Sequence, residues 1–226
     1  MLWHVVHRAQ RAKSLYKVVV ATSNQSTDDA IAKFCAEHAI SCFRGSEADV
    51  LDRYYHAAKS FGAEAVVRIT GDCPLIDPEI IDRVVREYEC DGYDYVTNTH
   101  PCTYPDGLDT EVFSAAALAR AWRDARRRSE REHVTPYLHK NPSLFRIENV
   151  TNNEDISHMR WTVDDHRDLE FVRALYSYLG GISPSMNDIL YVLRQRPELM
   201  EINAGTGRND GYLESLREDV TVDPGR

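Results

Sequence analysis

The stretch Val66-Val67-Arg68-Ile69-Thr70-Gly71-Asp72-Cys73-Pro74-Leu75-Ile76-Asp77-Pro78 decides the fold. It opens as a short β-branched run, the composition of a strand buried in a sheet. Gly71, Asp72 and Pro74 then stop the strand and turn the chain. Asp77-Pro78 reads as a helix start, an N-cap followed by proline at the first helical position. Strand, tight turn and helix in that order form the unit of an open α/β sheet, in which ligands bind beyond the C-terminal strand ends. Asp72 therefore stands where such a protein places a metal-binding carboxylate. A plain Gly-Asp turn, with the carboxylate capping its own backbone, accounts for the residue equally well.

The same pattern extends upstream. Apolar spacing predicts a helix over 2–13, a strand over 17–21, and a helix from Thr27-Asp28-Asp29 to His38. A strand over 40–44, broken by Gly45-Ser46, and a helix over 48–61 follow. Downstream, the helix opened by Pro78 runs to about Glu89. Strands alternating with helices of this length predict βαβ units and a mostly parallel sheet. After residue 92 the pattern changes to strands over 93–98 and 108–113, then a helix over 114–128 ending in Arg126-Arg127-Arg128, which reads as a solvated helix end. Ser129-Glu130-Arg131-Glu132 reads as a capping box opening a helix towards His139, and two strands follow over 144–150 and 158–163. Terminal helices cover 165–180 and 184–196. The organisation is one domain over 1–201, with a β-rich insertion at about 129–160 and a surface tail over 202–226.

Composition narrows the functional classes. A chain of 226 residues with 42% hydrophobic and 28% charged residues has the length and make-up of a soluble α/β domain. A formal charge of −9 argues against nucleic-acid binding, which needs a basic footprint, but leaves room for a small anionic ligand. The five cysteines form no C-x-x-C pair and fit reduced thiols in the cytosol. Met1 to Arg8 lacks a signal-peptide pattern and no apolar run reaches membrane-spanning length, so a cytoplasmic protein with no membrane partner is expected.

Three stretches carry candidate chemistry. Beside Asp72 stands Trp161-Thr162-Val163-Asp164-Asp165-His166, which ends a second strand and precedes a helix. Asp165 with Asp168 forms an N-cap arrangement, leaving Asp164 to point elsewhere. Two carboxylates at two strand ends suit Mg²⁺, a hard ion that keeps waters and binds substrate phosphates. In Tyr104-Pro105-Asp106-Gly107-Leu108-Asp109-Thr110-Glu111-Val112-Phe113, Asp109 and Glu111 alternate with Leu108, Thr110 and Val112 and share one face. Such like charges need a cation, hydroxyls or water between them, as in a polar ligand pocket or a solvated sheet face. Arg53 and Arg68 are candidate phosphate or carboxylate partners, and Arg68, inside an apolar strand, needs a counter-charge. His4, His7, His56 and His139 read as ordinary helix residues, and nothing indicates nucleophilic hydrolase chemistry.

Together with Val18-Val-Val-Ala-Thr-Ser23, Gly45-Ser-Glu-Ala-Asp-Val-Leu-Asp-Arg-Tyr54 and Arg160-Trp-Thr-Val-Asp-Asp165, these motifs resemble, in order, those of the cytidylyltransferase family of the spore coat polysaccharide biosynthesis protein F type. That family is similar to the acylneuraminate and 3-deoxy-manno-octulosonate cytidylyltransferases. The resemblance implies a three-layer, Rossmann-like nucleotide-diphospho-sugar transferase fold and transfer of CMP from CTP to a sugar acid with release of pyrophosphate. It implies a cytidine pocket at Thr22, Ser23, Gly45, Ser46, Arg53 and Gly71, and Mg²⁺ at Asp72 and Asp164. Arg68, Asp106, Asp109, Glu111 and Arg160 would face the acceptor, and the region around Glu132 to His139 would serve a homodimer. Family members begin with a strand and a basic, glycine-containing loop that wraps the triphosphate. This chain starts in what reads as the following helix, so the first strand is expected to be absent and transfer weak. Two competing readings are a glycosyltransferase, which would want a second aspartate in Gly71-Asp72-Cys73-Pro74, and a non-catalytic homologue acting as a dimer partner.

Overall fold

In the computed structural model, the stretch around Asp72 folds into β3 (Ala65–Arg68), a turn, and α4 (Pro78–Asp91). Residues 1–181, 183–205, 207–208 and 210–222 are described. Asp77 caps α4 by accepting from Glu79 N at 2.8 Å, and its second oxygen accepts from Met186 N at 2.6 Å. One carboxylate thus starts both α4 and α9 (Met186–Gln195). Upstream lie α1 (Leu2–Ala9), β1 (Val19–Ser23), α2 (Asp29–Glu37), β2 (Ser41–Gly45) and α3 (Val50–Ser60). Downstream come β4 (Tyr95–Thr97), β5 (Glu111–Ser114), α5 (Ala115–Asp124), α6 (Arg128–His133), α7 (Pro136–His139), β6 (Ile147–Asn149), α8 (His166–Tyr178) and α10 (Asp210–Arg217).

β1 and β2 pair in parallel, and the remaining strands form a sheet in the order β3-β5-β4-β6. The sheets are more mixed than the alternation of strands and helices suggests. β1–β2 and β4–β6 are parallel, whereas β5 runs antiparallel to both β3 and β4. The reason is local: β5 returns from β4 through an irregular segment with no crossover helix, which reverses its direction. Helices cover both faces. Val67, Val96 and Val112 pack towards α4, α8 and α9, while Val66, Tyr95 and Phe113 pack towards α3, α5, α6 and α7. This is the expected three-layer α/β arrangement.

The segment at about 129–160 is not β-rich: it is mostly irregular, with two short helices and one strand. It holds α6, α7 and the single strand β6, which extends the main sheet. The helix expected to run on to His139 breaks at Val134, which is buried at a φ of 72°. Thr135 N donates to His133 O at 2.9 Å across this break, and Pro136, which lacks an N–H, starts α7. The 158–163 stretch forms no strand, only a bridge between Arg160 and Asp106. Arg126 and Arg127 lie in the connection from α5 to α6, which Arg128 opens, and the three hold the tail: Arg127 pairs with Asp219 at 3.5 Å, Arg128 N donates to Val220 O at 2.9 Å and Val222 N donates to Arg126 O at 2.6 Å.

Arg8 on α1 is fully buried. It donates to Ile76 O at 2.6 Å, Leu75 O at 3.1 Å and Pro184 O at 2.6 Å. The turn after β3 is thereby pinned from behind. No described helix is long and apolar enough to cross a membrane.

Candidate active site

The two acidic turns dock on one another. Val163 N donates to Asp72 O at 2.9 Å and Thr162 Oγ1 to the same oxygen at 3.3 Å. This brings the Asp72 and Asp164 carboxyl groups within hydrogen-bonding reach. Partial burial pushes Asp164 above the usual carboxylate range; Arg160 opposes that rise, and the Asp72 charge adds to it. Among the described residues no group of three or more His, Cys, Asp or Glu side chains is arranged to hold a metal. Asp72 and Asp164 are the two carboxylates that could hold one, with further oxygens from a ligand.

Arg160 organises the acidic side of the site. It donates to both oxygens of Asp168 at 2.9 Å, to Asp164 at 2.6 Å, to Asp106 at 3.1 Å and to Gly207 O at 3.2 Å. Asp165 and Asp168 form the capping box of α8, as their spacing suggests. The wholly buried Asp168 also accepts from Asn203 Nδ2 at 2.9 Å. Burial would raise its carboxyl, but the bonds from Arg160 and Asn203 hold it down at about 2.

The Pro105-Asp106-Gly107 turn presses against the other acidic stretch. Gly107 has a φ of 105°, and a Cβ there would stand 2.6 Å from Trp161 C. Only glycine permits that approach, which places Asp106 beside Arg160. Asp106 is raised by burial, against the pull of Arg208 and Arg160. Asp109 is raised to about 7 by burial and by the Asp106 and Glu111 charges, although Arg208 pairs with it. Glu111 meets Arg68 directly across the β3–β5 ladder and accepts from Tyr95 Oη. Arg68 thus finds the counter-charge its position demands. Burial would raise Glu111, but Arg68 and Tyr95 hold it below its ordinary value. With Glu111 buried, the solvated-face reading of this strand gives way to a polar interior.

The nucleotide-side candidates cluster at the C-terminal ends of β1 and β2. Thr22 Oγ1 and Ser23 N donate to Asp28 at 2.6 and 2.8 Å, and Asn24 N donates to Gly45 O at 2.8 Å. Arg53 Nη1 donates to Ser46 O at 2.7 Å while its alkyl stem packs on Gly45. Gly71 is exposed, with open space where a side chain would be. Between the two halves lies the phenol of Tyr54, raised by burial and surrounded by the charges of Arg68, Glu111, Arg53 and Asp72. Tyr54 reads in sequence as one apolar position of α3, so the reading missed it. Arg208, Asn203 and Thr135 were missed too; Thr135 donates to Glu111 from the break after α6. The rings of His100 and His139 meet with centroids 4.3 Å apart and planes tilted by 36°, and burial together with His100 lowers His139 to about 4.

Comparison with known proteins gives this geometry a context. A family model described as cytidylyltransferase matches residues 1–178. The spore coat polysaccharide biosynthesis protein SpsF of Bacillus subtilis is 31% identical over 86% of this chain and 83% of its own length. A cytidylyltransferase from Leptospira borgpetersenii serovar Hardjo-bovis superposes with a TM-score of 0.85 at 32% identity, covering 92% of this chain and 87% of that one. A CMP:2-keto-3-deoxy-manno-octonic acid synthetase complexed with CTP shares the fold, with a TM-score of 0.57 at 16% identity, over 78% of this chain and 87% of that one.

Proposed function

The chain belongs to the cytidylyltransferase family, and on that premise we propose that it transfers CMP from CTP to a sugar acid, releasing pyrophosphate, for surface polysaccharide assembly. The observation that carries the reading is the docking of two acidic strand-to-helix turns, with Val163 N on Asp72 O at 2.9 Å and Asp164 beside Asp72. Their oxygen donors fit Mg²⁺, which takes one or two carboxylates and completes its shell with waters and substrate phosphates. When bound, that ion supplies charge neutralisation at the phosphate under attack.

The chain's own residues supply position. Arg160 fixes Asp164 from one side, and the Asp72 turn is fixed through its backbone carbonyl. Thr22, Ser23, Gly45, Ser46, Arg53 and Gly71 form the cytidine side, and Asp106, Asp109, Glu111, Arg68 and Arg160 the acceptor side. The acceptor hydroxyl attacks the α-phosphorus; the new O–P bond forms as the bond to the β-phosphate bridging oxygen breaks, and the hydroxyl proton passes to solvent. Alignment and charge stabilisation, without a covalent enzyme intermediate, account for the acceleration.

The test is incubation with CTP, 3-deoxy-manno-octulosonate and MgCl₂, following the CMP ester by mass spectrometry and pyrophosphate by a coupled assay. Asp72→Asn should lower the rate roughly 100-fold or more, the scale set by loss of a group that stabilises developing charge. Its thermal midpoint should stay unchanged. Full activity in Asp72→Asn, or no CMP ester with any sugar acid, would refute the reading.

A further inference from the structure

We propose that His100 and His139 form the wall of the acceptor site that selects the hydroxyl-bearing carbon chain of the sugar acid. The inference rests on the sugar-acid reading above and extends it from the acidic group of the acceptor to its hydroxyls.

Two elements bring these imidazoles together. β4 ends at Thr97, directly opposite Glu111 in the β4–β5 ladder, so both side chains stand on one face of the sheet. Thr99 continues the polar run, its Oγ1 2.8 Å from Thr97 Oγ1, and His100 follows. Asn149 of the neighbouring strand β6 clamps the backbone there. Its Oδ1 accepts from His100 N at 2.8 Å, and its Nδ2 donates to Pro101 O at 3.2 Å. From the other side comes α7. Thr135, which donates to Glu111, stands four residues before His139, and His139 N donates to Thr135 O at 3.2 Å. That spacing puts the two side chains on one helix face. The His100 and His139 rings meet there, with centroids 4.3 Å apart.

The chemistry left at this place is that of neutral imidazole. The Glu111 carboxylate is already satisfied, accepting from Arg68, Tyr95 and Thr135. Burial lowers both histidines against the pull of the Glu111 charge, so both rings are neutral near pH 7. Among the described residues neither ring gives or takes a hydrogen bond, while His100 is exposed and His139 half-buried. A neutral imidazole carries one donor and one acceptor, the same pairing that a hydroxyl offers in return. An anion is served better by a guanidinium. Two such rings side by side therefore suit neighbouring hydroxyls of a polyol chain. A packing contact alone would need only two flat rings, and a change to phenylalanine keeps that contact while removing the nitrogens.

The test titrates the full chain, with CTP and EDTA present, using 3-deoxy-manno-octulosonate and N-acetylneuraminate as probes. Binding is read by calorimetry and by the proton–nitrogen NMR spectrum of the histidine rings. The His100 and His139 resonances, assigned from single variants, should move when sugar acid is added and stay in place with CTP alone. His100→Phe and His139→Phe should each weaken the sugar acid about 3- to 10-fold, the scale of one lost neutral hydrogen bond. CTP affinity should stay within about twofold. His139→Asn, which keeps an amide donor and acceptor, should lose less than His139→Phe. The proposal is overturned if sugar acid binds while neither resonance moves, or if both phenylalanine variants bind it as the unaltered chain does. Equal losses for CTP and sugar acid also overturn it, since they mark a structural role. The sugar-acid reading survives each of those results. If the unaltered chain binds CTP but neither probe, that reading fails and the assignment of the histidines falls with it.

Discussion

Replacing Asp168 by asparagine would remove one charge from the most deeply buried carboxylate of the site while leaving the N-cap of α8, Asp165, in place. Asp168 is the N3 residue of the capping box and both its oxygens accept from N–H groups, so asparagine also turns an amide nitrogen towards donors; the pH-dependent part of the loss is the electrostatic one. The folded carboxyl is held at about 2, against 3.8 for an unperturbed aspartate. At 1.36 kcal/mol per unit, that difference corresponds to at most about 2.4 kcal/mol. Solvent reaches the cluster through Asp164, whose side chain is 55% exposed, and the resulting screening brings the expected loss to about 2 kcal/mol. The sign is fixed by the direction of the shift. A carboxyl whose value falls on folding contributes its full stability above the unfolded value, and loses it as pH drops towards the folded one. Urea unfolding at pH 7, 5, 3.5 and 2.5 reads this directly. Asp168→Asn should lie at least about 2 kcal/mol below the unaltered protein at pH 7 and 5, and the gap should narrow by that amount between about pH 4 and 2. A gap of the same size at pH 2.5, or no gap at pH 7, would show that Arg160 does not hold Asp168 as described.

Other outcomes follow from the same geometry. Gly107→Ala forces a Cβ to 2.6 Å from Trp161 C and should cost about 3 kcal/mol or more by chemical denaturation; an unchanged midpoint would mean the two turns do not press together. A double-mutant cycle on Arg68→Met and Glu111→Gln should give a coupling of about 1.5–3 kcal/mol at pH 7, whereas additive losses would dissolve the pair. Because Glu111 is held below its ordinary value of 4.5, that coupling should fade as pH drops below 4.5. His139 should titrate near 4 by NMR and stay neutral at pH 7; a midpoint above 6 would contradict its burial against His100.

Much of this arrangement was legible because its signals are local. Asp77-Pro78 announces a capped helix, and the structure adds only that the same carboxylate also starts α9. The likeness between the Asp72 and Asp164 stretches, each closing an extended run before a helix, was enough to pair them although they are distant in sequence. Arg68 demanded a partner and Glu111 is opposite it in register. What could not be read depended on contacts made far along the chain. The tail's polar, glycine-containing sequence looks like surface, and only folding brings Arg208 between Asp106 and Asp109. The break at Val134 runs against the preference of a β-branched residue for negative φ, so local sequence hides it. The expected capping box was offset for a related reason: Glu130 accepts from Arg126 N and Arg127 N, both at 3.1 Å, so α6 starts earlier than the Ser129 pattern suggests. The sense of β5 was lost because alternation reports which elements exist, while the connection before a strand sets its direction.

The clamp made by Arg8 divides the molecule in time. A guanidinium fully out of water, bonded to the carbonyls of Leu75, Ile76 and Pro184, cannot release any of them cheaply, since each would be left buried and unsatisfied. Amide hydrogens over 72–77 should therefore exchange only when the whole domain opens, whereas those of α10, which has no buried residue, should exchange through brief local excursions. The turn after β3 is then held on the timescale of global unfolding, while α10 keeps a faster clock.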